Sequence, residues 1–263
     1  MKDILITGAA GGMGKAAVKL FSESGFRVFA LDLKAGEKAE NVIPIQADIT
    51  SEEGIKSAFE KVRSYTDSLY SIIHFAGIYM LDSLLEIDAE RFRRIFDVNL
   101  YGAFLLNKTF LPLLKKGSRI LITTSELAPL DPLPFTGIYA VTKGALDKYA
   151  YSLRMEMQLL GISVSVLRAG AVDTGLLGAS TDALDRFCDK TELYTCNAAR
   201  FKSIVNRVEA RCISAEKLAG KTSRIVTKKK PKFAYSINKN PLLLLLNILP
   251  KKMQLWIIRK ILK

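Results

Sequence analysis

The chain has 263 residues, of which 49% are hydrophobic and 25% charged, so it can bury an ordinary globular core and does not have the composition of a disordered chain. Its net charge of +13 is unevenly placed, because segment 221–263 holds twelve Lys and Arg and no Asp or Glu, while the rest is nearly neutral. A body without a basic excess argues against a nucleic-acid-binding protein.

Short strand-like runs alternate with longer helical stretches along most of the chain. Strands are predicted at 3–7, 27–32, 41–48, 71–77, 119–125, 163–170 and 231–237, and helices at 15–24, 51–64, 89–114 and 139–160. This alternation is typical of an α/β fold in which helices cover both faces of a parallel sheet. The sequence therefore predicts a doubly wound, seven-stranded parallel sheet in one domain, 1–240, followed by a tail, 241–263.

A glycine-rich turn links the first strand to the first helix. Gly8, Gly12 and Gly14 form a G-x-x-x-G-x-G pattern, and their missing Cβ atoms would let backbone N–H groups approach a pyrophosphate. Asp32 ends the second strand, where a carboxylate can accept hydrogen bonds from adenosine ribose hydroxyls and repel a 2′-phosphate. Leu33 follows it, so no cation stands directly beside it for that phosphate. The pattern predicts NAD rather than NADP.

Tyr139 and Lys143 lie four residues apart in a predicted helix, so their side chains project from the same face. A solvated helix face can carry such a pair without any catalytic role. A free phenol titrates near pH ~10 and becomes an effective base near neutral pH only if its pKa is lowered, for instance by a nearby ammonium. The pair therefore needs supporting motifs before it indicates catalysis.

Taken together, the motifs make the sequence similar to the short-chain dehydrogenase/reductase family. The matching elements follow the family's order through roughly the first two thirds of the chain: TGAAGGMG, Asp32, Asp48 before Ile49, HFAG with Ala76 and Gly77, VNLYG with Asn99, TTS with Ser125, YAVTK and RAGAVDT. The resemblance implies a Rossmann-type fold, a nicotinamide cofactor and the interconversion of an alcohol and a ketone. It also implies a homo-oligomer.

The resemblance implies roles for four catalytic residues. Tyr139 would exchange a proton with the substrate oxygen. Lys143, together with the positive nicotinamide ring, would lower the pKa of the phenol, and its ammonium would also bind the nicotinamide ribose. Ser125 would donate a hydrogen bond to the substrate oxygen, and Asn99, on the long central helix, would hold a water linking Lys143 to solvent. The cofactor-binding residues implied in the same way are Gly8, Gly12, Met13, Gly14, Asp32, Asp48, Ile49, Ala76, Gly77, Asn99, Tyr139, Lys143, Val172 and Thr174.

Three positions depart from the family pattern. His74 and Phe75 stand where two asparagines are common, and His74 is interpreted as a strand residue with a hydrogen-bond partner rather than a catalyst or ligand. Ala169 replaces a common proline, which removes a rigid turn. The spacing from Ser125 to Tyr139 is one residue longer than usual, so we expect an unusually shaped substrate mouth.

Two segments in the last third of the chain extend these predictions. Segment 173–213 is expected to form a substrate lid at the carboxyl edge of the sheet. Segment 251–262 is expected to form an amphipathic helix, which suits an anionic membrane surface and also suits packing on the protein's own body or on a partner subunit. Its apolar side is predicted to comprise Leu255, Ile257, Ile258, Ile261 and Leu262, and its basic side Lys252, Arg259 and Lys260 with Trp256.

The remaining features bear on compartment and metal binding. Cys188, Cys196 and Cys212 form no C-x-x-C pair, which argues against a disulfide framework and a structural metal site. No export signal precedes the first strand, and the apolar run at 242–249 is too short to span a membrane. We therefore expect a cytoplasmic protein without a bound metal or nucleic-acid partner, with peripheral membrane contact through the tail as one of the alternatives.

These observations favour an NAD-dependent oxidoreductase that interconverts a secondary alcohol and a ketone on a lipophilic substrate, with a hydroxysteroid or bile acid as first candidate. A fatty-acyl or sphingoid ketone is the alternative substrate. The alternative class of protein is a membrane-associated scaffold that binds NAD without turnover. The intact set of Ser125, Tyr139 and Lys143 argues against the scaffold, because a scaffold needs no proton acceptor.

Overall fold

The computed structural model describes residues 1–34, 36–209 and 212–263, with the backbone alone for 175–181 and 206–209. Its strands are β1 (Lys2–Thr7), β2 (Phe26–Asp32), β3 (Val42–Gln46), β4 (Leu69–His74), β5 (Leu114–Ser125), β6 (Ser163–Ala169), β7 (Val172–Asp173), β8 (Ile213–Ser214) and β9 (Ala234–Ile237). Its α-helices are α1 (Gly12–Glu23), α2 (Glu52–Arg63), α3 (Ala89–Phe96), α4 (Gly102–Phe110), α5 (Gly137–Met157), α6 (Gly175–Lys190), α7 (Thr195–Glu209), α8 (Ala215–Thr227), α9 (Pro241–Ile248) and α10 (Lys251–Leu262).

Seven strands form one parallel sheet in the order β3-β2-β1-β4-β5-β6-β9, which confirms the predicted doubly wound α/β fold. The chain builds outward from β1 to β3 and then returns to β4 on the other side of β1. Connections therefore leave β1 and β4 in opposite directions, which opens a crevice beyond their carboxyl ends. The pair β7 and β8 forms a separate small parallel sheet that the sequence reading did not predict.

The inner strands are apolar because both of their faces are covered. Along β1, Leu5 packs into one core and Ile4 and Ile6 into the other, as the alternation of side chains along a strand requires. Helices α2, α4 and α5 contribute buried residues to the first core, and α1 and α8 contribute to the second. The apolar faces of these helices thus form the two layers that cover the sheet.

The helix predicted at 89–114 is interrupted. Helix α3 ends at Phe96, a π-helical turn spans Asp97–Tyr101, and α4 resumes at Gly102. A short 3₁₀ turn then leads into β5, which begins at Leu114, so the predicted C-terminal end of the helix was wrong. The π turn is closed by i→i+5 hydrogen bonds rather than i→i+4 bonds. Asn99 within it forms hydrogen bonds with the backbone of Ile78 in the loop after β4.

Segment 173–213, the predicted lid, contains α6 and α7. Phe187 of α6 and Phe201 of α7 pack around Phe135 from the loop before α5, with ring centroids 4.5 Å and 5.3 Å from that of Phe135. These aromatic contacts cover one side of the crevice with an apolar wall. Whether the segment opens and closes stays a prediction.

The predicted tail forms two helices, and part of it packs on the body. Asn197 Nδ2 on α7 donates a hydrogen bond to the carbonyl oxygen of Leu262, and Gln254 of α10 is buried. The backbone N–H of Asp131 donates to Asn247 Oδ1 at 3.0 Å, and Lys251 pairs with the Asp131 carboxylate. These contacts fasten α9 and α10 beside the loop that follows β5.

The apolar side predicted for α10 is split. Ile257, Ile258 and Leu262 are half-buried, whereas Leu255 and Ile261 are exposed. Helix α10 therefore buries only part of the apolar side expected from the sequence, and its membrane or partner contact stays a prediction. Of the described helices, none is both long enough and apolar enough to span a bilayer.

Candidate active site

The glycine-rich turn lies at the carboxyl end of β1 and is closely packed. Gly8 has φ 68°, and a Cβ added there would lie 2.6 Å from the backbone nitrogen of Ala76. A Cβ on Gly14 would lie 2.0 Å from the carbonyl oxygen of Gly8. Only glycine fits either position without a backbone shift. The turn after β1 can therefore lie against the loop after β4, and the start of α1 can pack on the turn after β1 with its N–H groups available to an anion. These residues fit a dinucleotide.

Asp32 is held against this turn. Its Oδ2 accepts a hydrogen bond from the backbone N–H of Ala10 at 2.9 Å, and its Oδ1 accepts one from that of Lys34 at 3.3 Å. The carboxylate therefore lies at the edge of the cleft formed by Gly8, Gly12 and Gly14, with which it shares a lining. Its position suits an adenosine ribose.

Asp48 and Ile49 line the same cleft at the end of β3. Burial alone would raise the pKa of Asp48, but hydrogen bonds from the backbone and hydroxyl of Thr50 and the nearby Arg94 outweigh burial and lower that pKa. Arg94 Nη2 lies 3.7 Å from Asp48 Oδ2. The carboxylate is thus kept ionised and fixed in place at the floor of the cleft.

Three of the four predicted catalytic residues line a single cavity of about 260 Å³. Ser125 ends β5, and Tyr139 and Lys143 lie one turn apart near the start of α5, all three almost fully buried. Lys143 Nζ lies 5.7 Å from the centroid of the Tyr139 ring. The parallel register of β4, β5 and β6 places these groups at the carboxyl edge of the sheet, beside the dinucleotide cleft.

The cleft and the cavity are continuous. Both are lined by Met13, Gly77 and Thr174, and Val172 lies on the cavity side. A Cβ on Gly12 would lie 2.7 Å from the side chain of Thr174, so the glycine-rich turn and the segment after β7 are in close contact. A dinucleotide in the cleft could therefore extend its reactive end into the cavity.

Burial dominates the protonation of the Tyr139–Lys143 pair. It raises the pKa of Tyr139, Tyr79 raises it further, and the hydroxyl of Ser125 partly offsets both effects. It also lowers the pKa of Lys143 to about 8. The lowered phenol pKa expected from Lys143 is therefore not a property of these residues alone. A further positive charge close to the phenol would be required to favour the phenolate.

Asn99 lies behind the cavity, and the structure does not place it in the lining of either space. Its Oδ1 accepts a hydrogen bond from the backbone N–H of Ile78 at 2.8 Å, and its Nδ2 donates to the Ile78 carbonyl and to Thr142 Oγ1. A Cβ on Gly77 would lie 3.1 Å from Asn99 Oδ1 and 3.2 Å from Lys143 Nζ. Asn99 thus fixes the loop that separates the two spaces, whereas its water-holding role stays a prediction.

Two cavity residues were missed by the sequence reading. Tyr79 places its ring centroid 4.7 Å from that of Tyr139, and Glu126 follows Ser125 directly. Nothing in the periodicity marks Tyr79, since the loop after β4 is irregular. A charged residue immediately after a buried apolar strand was the available signal for Glu126.

His74 behaves as predicted for a strand residue with a partner. It is buried on β4, and its Nε2 lies 2.9 Å from Asn107 Oδ1 on α4. Asn107 Nδ2 donates to the Tyr149 hydroxyl, so its oxygen faces the imidazole and His74 Nε2 is the donor. Burial lowers the pKa of His74 to about 4. A neutral, buried imidazole with this partner has no role at the cavity.

The chain belongs to the short-chain dehydrogenase family, whose sequence profile it matches over residues 2–185. That family comprises oxidoreductases that use a nicotinamide cofactor. The match covers the glycine-rich turn, Asp32 and the segment that carries Ser125, Tyr139 and Lys143. Family membership therefore rests on the same elements as the geometry of the cleft and cavity.

Several curated relatives act on lipophilic compounds according to their names. The chain is 30% identical over 193 residues to the NADPH-dependent 1-acyldihydroxyacetone phosphate reductase of Schizosaccharomyces pombe, a match covering 69% of this chain and 65% of the relative. It is 33% identical over 202 residues to estradiol 17-beta-dehydrogenase 2 of Mus musculus, covering 70% and 51%. The chain thus spans between half and two thirds of these relatives.

A third relative is matched over more of its length. The chain is 26% identical over 231 residues to the 3-ketodihydrosphingosine reductase of Bacteroides thetaiotaomicron, covering 88% of this chain and 85% of the relative. This match extends beyond the segment common to the first two.

Solved structures support the fold. A short chain dehydrogenase family protein from Francisella tularensis superposes with a TM-score of 0.76 at 23% identity, covering 90% of this chain and 97% of the other. The 3-ketoacyl-(acyl-carrier-protein) reductase of Brucella melitensis, complexed with NADH, gives a TM-score of 0.73 at 22% identity, covering 90% and 96%. At these identities the likeness concerns the arrangement of the sheet and helices.

Proposed function

We propose that this protein is an NAD-dependent oxidoreductase that interconverts a secondary alcohol and a ketone on a lipophilic substrate. The observation that carries the proposal is the shared cavity of Ser125, Tyr139 and Lys143, which is continuous with a glycine-lined dinucleotide cleft. Proton acceptor, hydrogen-bond donor and cation are thereby brought to one place beside a site for the cofactor.

The residues of the cavity divide the chemistry between them. A bound nicotinamide would accept or supply the hydride. Tyr139 Oη takes the proton from the alcohol in oxidation and returns it in reduction, and Ser125 Oγ holds the substrate oxygen by hydrogen bonding. Lys143, with its ammonium close to Gly77 at the border of the cleft, holds the ribose. Its charge, together with that of a bound oxidised nicotinamide, would favour the phenolate.

The choice of NAD rests on Asp32. A carboxylate fixed at the end of β2 by the N–H of Ala10 favours ribose hydroxyls and repels a 2′-phosphate. The comparisons do not decide the cofactor, since one relative is named as NADPH-dependent and one related structure contains NADH.

A lipophilic substrate is supported by the lining of the cavity. Leu127, Leu133, Phe201, Ile204 and Leu243 give most of its wall an apolar character. A hydroxysteroid remains the first candidate, in line with the similarity to estradiol 17-beta-dehydrogenase 2. A long-chain sphingoid ketone is the second candidate, favoured by the carboxylate of Glu126 in the same cavity and by the longer match to 3-ketodihydrosphingosine reductase.

Replacing Tyr139 by Phe tests the enzyme assignment. Wild-type protein is incubated with NAD(H) and a panel of sterols, bile acids, retinol and long-chain alcohols and ketones, and reduced nicotinamide is followed by absorbance. Tyr139→Phe should lower turnover by about 10²- to 10⁴-fold while NAD binding survives. Tyr151→Phe, on the exposed side of the same helix, is the matched control and should keep full activity.

Two outcomes would contradict the proposal. Absence of turnover by the wild-type protein on the whole panel would reject the substrate class, and full turnover by Tyr139→Phe would reject the assigned proton acceptor. NAD binding without turnover by any variant would instead favour the scaffold.

The exposed surface of α9 and α10 is proposed to contact an anionic membrane. Leu242, Leu245 and Ile248 share one face of α9 and are 67%, 60% and 80% exposed, and Trp256 of α10 is 62% exposed. The chain around them, 221–263, carries twelve basic and no acidic residues, which complements anionic headgroups. Leu243 of the same helix lines the cavity, so this contact would place the cavity close to a source of lipophilic substrate.

A further inference from the structure

Among the described residues that line the cavity, Glu126 carries the one carboxylate. Glu126 directly follows Ser125, so their Cα atoms are about 3.8 Å apart, and both side chains line the cavity. The backbone N–H of Glu126 donates to the carbonyl of Ala169 at 2.9 Å, which fixes the start of the turn after β5. The carboxylate is therefore held beside the residue proposed to bind the substrate oxygen.

This carboxylate is partly buried, and burial raises its pKa. Among the side chains that the structure describes, no Lys or Arg forms an ion pair with it. Lys143, the other charged residue in the described lining, points to the cofactor border near Gly77. Without a cation, a carboxylate in an apolar cavity is poorly compensated.

The protein supplies a hydrogen-bond donor to one oxygen of this carboxylate. Glu126 Oε2 accepts a hydrogen bond of 2.6 Å from the backbone N–H of Asn240, at the N-terminus of α9. Oε1 lies 3.0 Å from the point where a Cβ on Gly170 would be, so the missing side chain of that residue gives the carboxylate its space. A tie between β5 and α9 accounts for Oε2, where the N-terminus of the helix also favours a negative charge. The other oxygen, Oε1, lies toward the space left by Gly170.

We infer that Glu126 is the binding site for a protonated amine on the carbon next to the substrate's carbonyl carbon. A ketone oxygen at Ser125 puts that neighbouring carbon toward the adjacent residue, where an ammonium would form a charge-assisted hydrogen bond with the carboxylate. The inference rests on the proposed function and narrows its substrate to a long-chain 2-amino ketone or amino alcohol. A hydroxysteroid has no such group.

The test compares two substrates and one conservative variant. Long-chain 2-amino-3-ketone and the matched 3-ketone without the amine are reduced by wild-type protein and by Glu126→Gln, which keeps an oxygen acceptor for the Asn240 N–H. Wild-type kcat/KM should favour the amino ketone by at least about tenfold, mainly through KM, as expected for a hydrogen bond between charged groups. Glu126→Gln should lose that preference, so that its kcat/KM values for the two ketones become similar.

The outcomes separate this inference from the proposed function. If Glu126→Gln lowers kcat/KM equally on both ketones, the carboxylate only ties α9 and the inference is overturned. Equal use of both ketones by the wild-type protein overturns it as well, while leaving the proposed function intact. If neither ketone nor any alcohol of the panel is turned over, the proposed function itself fails. Glu60→Gln replaces an exposed carboxylate on α2 and is the control. It should leave kcat/KM unchanged for both ketones.

Discussion

At the scale of single residues, His74 couples stability to pH. It is neutral in the fold, because burial lowers its pKa from about 6.5 to about 4. The unfolded chain takes up a proton that the folded chain rejects between these values, so stability is fully present above pH ~6.5 and falls as pH drops toward ~4. The shift corresponds to about 3 kcal/mol at most.

Replacing His74 by Asn should remove this dependence. The free energy of unfolding, measured by urea denaturation at several pH values between ~4 and ~7, should vary with pH less steeply in His74→Asn than in the wild type by up to about 3 kcal/mol. If the free energy of unfolding depends on pH in the same way in both proteins, His74 takes up its proton in the folded chain as it does in the unfolded chain. That result would contradict its burial against Asn107.

Asp32 supports a second prediction at this scale. Asp32→Asn keeps an oxygen for the N–H of Ala10 and removes the charge, so it should weaken NAD binding and remove the repulsion toward a 2′-phosphate. The ratio of kcat/KM for NAD to that for NADP should fall by about tenfold or more. Asp67→Asn, at an exposed position after α2, is the control. An unchanged ratio in Asp32→Asn would contradict the assignment of NAD.

The positions of single site residues could be predicted where a sequence motif itself determines the geometry, as helical spacing does. Spacing alone places Tyr139 and Lys143 on one helix face, whereas their meeting with Ser125 at the edge of the sheet was implied by the family resemblance. Tyr79 and Glu126 lie on irregular backbone whose course depends on tertiary contacts, and no periodicity indicates where their side chains go. The raised pKa of Tyr139 likewise follows from burial, which the sequence does not specify.

At the scale of elements, the junction of the π turn with α4 depends on a small residue. Gly102 begins α4, and a Cβ there would lie 2.7 Å from Ile49 Cδ1, on a residue that lines the dinucleotide cleft. Gly220 lies within α8 with no atom within 4 Å of its added Cβ. The two helical glycines form a matched pair.

Replacing Gly102 and Gly220 by Ala should change the free energy of unfolding in opposite directions. Gly102→Ala should lower the free energy of unfolding by about 1–3 kcal/mol and raise the KM for NAD, because Ile49 must move. Gly220→Ala should raise the free energy of unfolding by about 0.5–1 kcal/mol, since alanine favours a helix. Thermal unfolding and steady-state kinetics measure both. If both substitutions stabilise the protein equally, the start of α4 is not closely packed against Ile49 of the cleft.

Strands were easier to predict than the interruptions between them. Most strands of the main sheet are short apolar runs bounded by turn residues, and the inner strands are buried on both faces, as is typical of a parallel sheet. The π turn at Asp97–Tyr101 depends on Asn99 reaching the backbone of Ile78, a contact between distant parts of the chain. Such a contact leaves no local signal in the sequence.

At the scale of the whole molecule, the exposed face of α9 supports a membrane prediction. Wild-type protein should float with phosphatidylcholine vesicles that contain phosphatidylglycerol, and less with phosphatidylcholine alone or at high salt. A triple variant, Leu242→Ser, Leu245→Ser and Ile248→Ser, should lose flotation, because it removes exposed apolar area without altering the buried core.

The control for this variant is Leu159→Ser with Leu160→Ser, which changes exposed leucines after α5. Flotation of the triple variant at the wild-type level, or no flotation of the wild type, would contradict membrane contact through α9. The homo-oligomer implied by the family resemblance stays a prediction, and light scattering after size-exclusion chromatography measures it.

The loop after β5 and the C-terminal helices are joined at two points, Glu126 to Asn240 and Asp131 to Asn247 and Lys251. These contacts tie the cavity wall next to Ser125 to the C-terminal helices, whereas Tyr139 and Lys143 are carried by α5, which is anchored in the first core. We therefore expect substitutions that loosen α9 to change the entry of bulky molecules more than they change the alignment of the proton-transfer groups.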